Sequence, residues 1–173
     1  MDALIIALDD PRTGDVHALL ERHLAFAHDT SPPEDVHALD VTGLLDPSIS
    51  FFSARRADAL VAVGALKQLD SSHGEIKSMH TSVAVRRQGA GRAMLDHLLD
   101  LARRRGYRRV SLETGSMEAF APARALYRSV GFSECGPFAG YQPSPNSTFM
   151  TLVLGRASAR SMMGDDTASI GGS

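Results

Sequence analysis

Apolar residues follow two periods along this chain, short strand-like runs and longer stripes at helical spacing. Leu4 to Leu8 is an apolar run that predicts a first strand. Asp10 and Pro11 then read as an N-cap and a first-turn proline. In "RTGDVHALLERHLAFAH", Val16, Leu19, Leu20, Leu24 and Ala27 fall near helical spacing. "DTSPPEDVHALD" reads as a loop because two prolines interrupt it, and "VTGLLDP" as a short second helix ended by Pro47.

From Ser50 the period shortens. "SFFSARRA" and "ALVAVGALKQL" are strand-like and meet at Asp58, which predicts a hairpin. Leu60, Ala62, Gly64 and Leu66 alternate with Ala59, Val61, Val63 and Ala65. Both faces are apolar, as in a central strand covered on two sides. "HGEIKSMHTSV" reads as a fourth strand, with Glu75, Lys77, Met79 and Thr81 expected on one face.

A helix follows from about Gly89 to Arg105, with Ala90, Ala93, Met94, Leu98, Leu101 and Ala102 as its apolar stripe and Gly106 as its stop. "RRVSLET" is a strand, "EAFAPARALYRSV" a helix stopped by Gly131, and "SECGPF" and "STFMTLVL" two last strands around a loop rich in Gly and Pro. Residues 156–173 carry little apolar periodicity and read as a flexible tail after a single domain over 1–155. This order predicts one α/β (α+β) domain with a mixed sheet.

Composition narrows the function classes. The 173 residues carry a formal net charge of −2, so nothing in the balance points to nucleic acid or an anionic membrane. The N-terminal "MDALIIALDD" lacks the basic start of a signal peptide, and no stretch reaches transmembrane length. Cys135 is the single cysteine, which excludes an intrachain disulfide and a cysteine-based zinc site. A soluble, cytoplasmic protein without a metal is expected. Monomer and homodimer both remain open.

"RRQGAGRAML" carries the chemistry. Its glycines fall where a strand ends and a helix begins, a junction that presents unpartnered N–H groups to an anion. Gly89 and Gly91 let backbone approach a phosphate, and Arg86, Arg87 and Arg92 add positive charge. A P-loop needs Lys-Ser or Lys-Thr where Arg92-Ala93 stand. A dinucleotide fingerprint needs a third glycine where Met94 stands.

The spacing Arg86-x-x-Gly89-x-Gly91 resembles the acyl-CoA pyrophosphate loop of the GNAT N-acetyltransferase family, Gln/Arg-x-x-Gly-x-Gly/Ala, placed between the fourth strand and third helix. "FAPARALYRSVGF" is similar to that family's second signature through Ala123, Leu126, Tyr127, Gly131 and Phe132. One departure stands out: members often carry Asn seven residues before the tyrosine, and here Phe120 holds that place.

The resemblance implies a mostly antiparallel sheet flanked by helices, with splayed central strands between which acetyl-CoA enters. It implies that backbone from Met79 through His80 to Thr81 pairs with the pantetheine arm, and that Arg86, Arg87, Gln88, Gly89, Ala90, Gly91 and Arg92 seat the pyrophosphate. The implied reaction is direct attack of a primary amine on the thioester, with a small molecule as acceptor. An acyl-CoA sensor and a protein or peptide N-acetyltransferase are the alternatives.

Tyr127 matches the family tyrosine that often protonates the departing thiolate. Glu75 ranks first as general base and Glu113 second, while a histidine or water also stays open. His73 and His80 lie near the fourth strand, and His28 and His37 flank the proline loop. The loops "AHDTSPPEDVH" and "GPFAGYQPSPN" are expected to shape the acceptor pocket through His28, Ser31, His37 and Tyr141.

Overall fold

The computed structural model describes residues 2–155, and the expected tail over 156–173 lies outside them. Seven strands form one sheet in the order β1-β2-β3-β4-β5-β7-β6. They are β1 (Leu4–Leu8), β2 (Ile49–Arg56), β3 (Ala59–Gln68), β4 (His73–Thr81), β5 (Arg109–Gly115), β6 (Ser133–Cys135) and β7 (Ser147–Val153). Every neighbouring pair is antiparallel except β4 and β5. Three α-helices, α1 (Gly14–Thr30), α2 (Ala90–Arg104) and α3 (Ala121–Ser129), complete the regular structure. The mixed, mostly antiparallel α/β architecture expected from the sequence is therefore present.

Residues Val61 to Leu66 of β3 are buried without interruption, as their two apolar faces require. On one face Leu66, Ile76 and Leu112 pack with Met94, Leu95, Leu98 and Leu99 of α2. On the other, Val63 and Ala65 pack with Val16, Leu19 and Leu20 of α1. The β2–β3 hairpin turns at Ala57 and Asp58, both at positive φ (47° and 64°), the backbone sense of a two-residue primed turn.

Several local expectations shift. Asp10 does not cap α1. Its carboxylate accepts the Arg12 N–H at 2.8 Å, an Asx turn that leaves Thr13 as N-cap and Pro11 outside the helix. The second helix is one 3-10 turn, Gly43–Leu45. The helix expected from Glu118 opens with a 3-10 turn, Glu118–Phe120, and Pro122 sits in the first turn of α3, where its missing N–H costs no hydrogen bond. The strand "SECGPF" ends at Cys135 because Gly136 and Pro137 do not sustain a ladder.

The expected common face on β4 is broken by a bulge. Pairing with β3 runs Ala65↔Lys77 and then Val63↔His80, so Ser78 and Met79 together oppose Gly64. Ser78 takes φ 55°, the left-handed region that side chains seldom adopt. Glu75 and Lys77 keep one face. After the bulge Met79 lies against the α2 side, its sulfur 3.0 Å from where a Cβ on Gly64 would stand. His80 turns toward α1. One extra residue has inverted the alternation.

The bulge accompanies the feature that makes the site. β4 and β5 pair only over His73↔Arg109, Gly74↔Val110 and Glu75↔Ser111. Beyond Glu75 the two strands diverge, β4 to Thr81 and β5 to Gly115.

Leu98 is fully buried between α2 and the sheet. Leu98→Ala is expected to cost about 2–5 kcal/mol in unfolding free energy, read from urea melts.

Candidate active site

A cavity of about 680 Å³ runs along the divergence of β4 and β5. One end is built by the chain after β4. A 3-10 turn over Val83–Val85 leads to Arg86, then Arg87 at φ 66° and Gly89 at φ 82°. The first helical hydrogen bond of α2 runs from Ala93 N–H to Gly89 O, so the amides of Ala90, Gly91 and Arg92 have no partner within the helix. Together with the helix dipole they form an anion seat. Arg86, Arg87, Gly89, Ala90, Gly91 and Arg92 all line it.

The two glycines serve different purposes. Gly89 supplies the positive φ. Gly91 supplies clearance, since a Cβ there would come within 3.1 Å of Thr81 Oγ1. Gln88 departs from the expected set. It does not line the cavity, and its side chain accepts a hydrogen bond from Arg56 at 3.1 Å on the outer side of the loop.

The middle of the cavity is the diverging edge of β4. Ser78, Met79, His80 and Thr81 line it. Ser78 Oγ is buried and lacks a hydrogen-bond partner. His80 Nδ1 stands 3.3 Å from His23 Nδ1 of α1. Burial lowers both imidazoles to about 4, so both are neutral at physiological pH and weak as bases.

The far end is acidic. Glu75, Glu113 and Tyr127 all line the cavity, as expected for catalytic candidates. Their environments differ. Glu75 is 3% exposed and occupied: Tyr141 donates to its Oε1 at 2.5 Å and Lys77 Nζ donates to the same oxygen at 3.1 Å. Lys77 also donates to Tyr141 Oη at 2.9 Å. This closed triangle engages Oε1 of Glu75.

Glu113, on β5, belongs to no such triangle. Burial raises its carboxyl to about 7, with Glu75 and Asp35 adding to the rise and Lys77 opposing it. The neighbouring Ser147 hydroxyl opposes the rise ahead of Lys77, and burial still outweighs both. Tyr127 on α3 is buried, and desolvation, then the charge of Glu113, pushes its phenol well above the usual range.

Of the acceptor candidates, Ser31, His37 and Tyr141 line the cavity and His28 does not; it is exposed in the last turn of α1. His73 is also removed from the cavity. Its ring is bonded to Ser111 Oγ at 2.7 Å across the β4–β5 pair. The two expected loops meet. Asn146 Nδ2 donates to Asp35 Oδ2 at 2.9 Å, and the His37 and Tyr141 rings stand edge to face at 4.9 Å.

Sequence reasoning missed His23, Phe26, Asp35 and Lys77, which also line the cavity. For His23, Phe26 and Ala27 a signal existed, because their i, i+3, i+4 spacing puts them on one stripe of α1. Lys77 had one too, since strand alternation puts it on the face of Glu75, whereas its bond to Tyr141, 64 residues away, left no trace in sequence. Phe120 packs on the end of β5, and a Cβ at Gly115 would overlap its ring.

Among the described residues, no group of three or more His, Cys, Asp or Glu is arranged for a metal ion, and no helix is long and apolar enough to cross a membrane.

A cavity with an anion seat at one end and paired carboxyls at the other, opened by two diverging strands, agrees with three comparisons. The acetyltransferase (GNAT) family profile matches residues 15–132. The uncharacterized N-acetyltransferase YsnE of Bacillus subtilis is 50% identical over 149 residues, 86% of this chain and 99% of that one. The IAA acetyltransferase of Azospirillum brasilense is 36% identical over 155 residues, 89% of this chain and 100% of that one. A GNAT family acetyltransferase from Elizabethkingia anophelis, solved with acetyl-CoA bound, shares the fold with a TM-score of 0.65 at 17% identity, covering 89% of this chain and 100% of that one. The chain belongs to the GNAT acetyltransferase family and is an acetyltransferase.

Proposed function

We propose that this protein moves an acetyl group from acetyl-CoA to the primary amine of a small molecule, with Glu113 as base. The observation that carries the reading is the cavity along the divergence of β4 and β5, which joins the anion seat to a carboxyl raised to about 7.

The residues fit the cosubstrate. The amides of Ala90, Gly91 and Arg92, with Arg86 and Arg87, match a pyrophosphate. The unpaired edge of β4 from Met79 to Thr81 offers backbone groups to an amide-bearing arm, and Ser78 Oγ is a buried hydroxyl without a partner. These features support acetyl-CoA as donor.

Glu113 takes one proton from the bound ammonium. The freed nitrogen attacks the thioester carbon, and its second proton passes to the departing sulfur as the C–S bond breaks, releasing CoA as its thiol. A carboxyl near pH 7 combines a useful ionised fraction with useful basicity. Glu75, ranked first on sequence grounds, serves instead as a fixed charge holding Lys77 and Tyr141. Tyr127 stays neutral across the physiological range and hydrogen-bonds the departing sulfur as its charge develops. Holding amine and thioester together supplies much of the rate.

A small acceptor is favoured because the Asn146–Asp35 hydrogen bond and the His37–Tyr141 contact close two loops over the acidic end. An open peptide groove would need those loops apart.

Free-thiol release from acetyl-CoA across an amine panel tests the proposal, and binding of acetyl-CoA without turnover of any small amine would overturn the small-molecule acceptor. Gly89→Val forces a branched side chain to φ 82° at a cost of roughly 1–2 kcal/mol. CoA should then bind roughly tenfold more weakly, read by calorimetry and by loss of its thermal stabilisation.

Glu113→Gln should lower kcat/KM by on the order of 10²–10⁴ and abolish the rise in rate through pH 7, measured with one amine across pH. Because this carboxyl is raised from 4.5 to about 7, its stabilising share is present below 4.5 and lost as pH rises through 7. Glu113→Gln should therefore melt above the wild type at pH 8 and level with it at pH 4. Tyr127→Phe should lower kcat on the order of 10²-fold with the KM for acetyl-CoA unchanged, read in the same thiol assay.

A further inference from the structure

The cavity has an aromatic wall that the acetyl-transfer chemistry does not use. Phe26 of α1 and Phe120, before α3, meet edge to face with ring centroids 5.2 Å apart, and both line the cavity. The contact reaches from α1 to the end of β5. It closes that side of the opening with apolar surface where a polar residue was expected.

Side-chain alternation places this wall relative to the base. Leu112 packs into the core under α2, so Glu113 and Gly115 point to the opposite face of β5. The Phe120 ring stacks on Gly115 on that face, so closely that no Cβ fits there. Glu113 and the ring therefore share one face, two strand residues apart, about 6.6 Å along the backbone.

The wall is held rather than mobile. Arg124 Nη1 donates to Gly115 O at 2.7 Å and to Met117 O at 2.9 Å, pinning the turn that carries Phe120. The same end of the cavity holds Asp35 and Glu113, and its one lysine, Lys77, is taken up by Glu75. An ammonium is drawn to this end, and a flat apolar group beside it finds a ring face and a ring edge to pack on.

We propose that the acceptor is an arylalkylamine, its aromatic ring packed on Phe26 and Phe120 and its amine at Glu113, separated by a linker of about two carbons. Glu113 and the Gly115 position under the Phe120 ring stand two residues apart on one face of β5, a separation that calls for a short linker. This inference rests on the small-amine acetyltransferase reading above and names its substrate class.

The experiment is steady-state thiol release with saturating acetyl-CoA, comparing 2-phenylethylamine, n-butylamine and putrescine. The wild type should favour 2-phenylethylamine over both by tenfold or more in kcat/KM. Phe120→Ala should reduce that ratio about three- to tenfold, mainly through KM for the aryl amine, and Phe26→Ala is the second variant should Phe120→Ala fold poorly.

Equal or better turnover of n-butylamine or putrescine overturns the aryl specificity and leaves acetyl transfer standing. A raised KM for acetyl-CoA with the amine ratio unchanged puts the ring on the cosubstrate and also overturns it. Binding of acetyl-CoA with none of the three amines turned over overturns the aryl specificity, and turnover of another amine in the wider panel then keeps the small-amine reading.

Discussion

The separation of β4 from β5 governs this molecule. Parallel pairing stops after Glu75↔Ser111, and the backbone groups beyond it are left without a strand partner. Unpaired strand edges inside a protein are costly unless something else meets them. Here they border a cavity rather than core. The strained left-handed backbone at Ser78 lies on this edge, together with a buried hydroxyl that has no partner. Strain and unsatisfied polarity thus both fall on the edge that borders the cavity.

The rest of the fold keeps that gap open. β3 is buried on both faces, with α2 and α1 packed on opposite sides, and the strands flanking the opening anchor in the α2-side core through Ile76 of β4 and Leu112 of β5. α2 has a second duty. Its apolar stripe anchors the helix, and its N-terminus leaves amides directed at the cavity. Ordinary helix packing thereby positions the anion seat.

Electrostatics divides the cavity lengthwise. Arginines and helix amides make one end positive, and Asp35, Glu75 and Glu113 make the other negative. Two carboxylates in one end do not behave alike. Glu75 has a cation and a phenol fixed to it, whereas Glu113 has neither and is pushed toward neutrality by burial. That difference sets the two carboxyls apart, and residue type alone does not reveal it.

Much of this was legible before any coordinates. Strand and helix periods placed β2 to β4, α2 and β5 closely, because each buries a face whose period shows in sequence, and β1 followed from an apolar run that stays half open to solvent. The glycine spacing at 89 and 91 marked the anion seat, because a left-handed φ and a tight approach demand that residue type. The sequence also led to errors with identifiable causes. An alternation rule carried Met79 onto the face of Glu75, and it failed at the bulge, which depends on pairing with Gly64. His28 was chosen for nearness along the chain, which does not decide where a side chain points.

What the chain determined alone is local: the element order, the apolar faces, and a helix start built to receive an anion. The tertiary structure decided everything requiring distant residues to meet. It brought Lys77 and Tyr141 to Glu75, left Glu113 desolvated, clasped Asp35 to Asn146, and set Phe26 against Phe120. The physical reason is that period and turn chemistry are properties of neighbours in sequence. Desolvation, pairing and packing are properties of neighbours in space, and the chemistry of this site rests on the second kind.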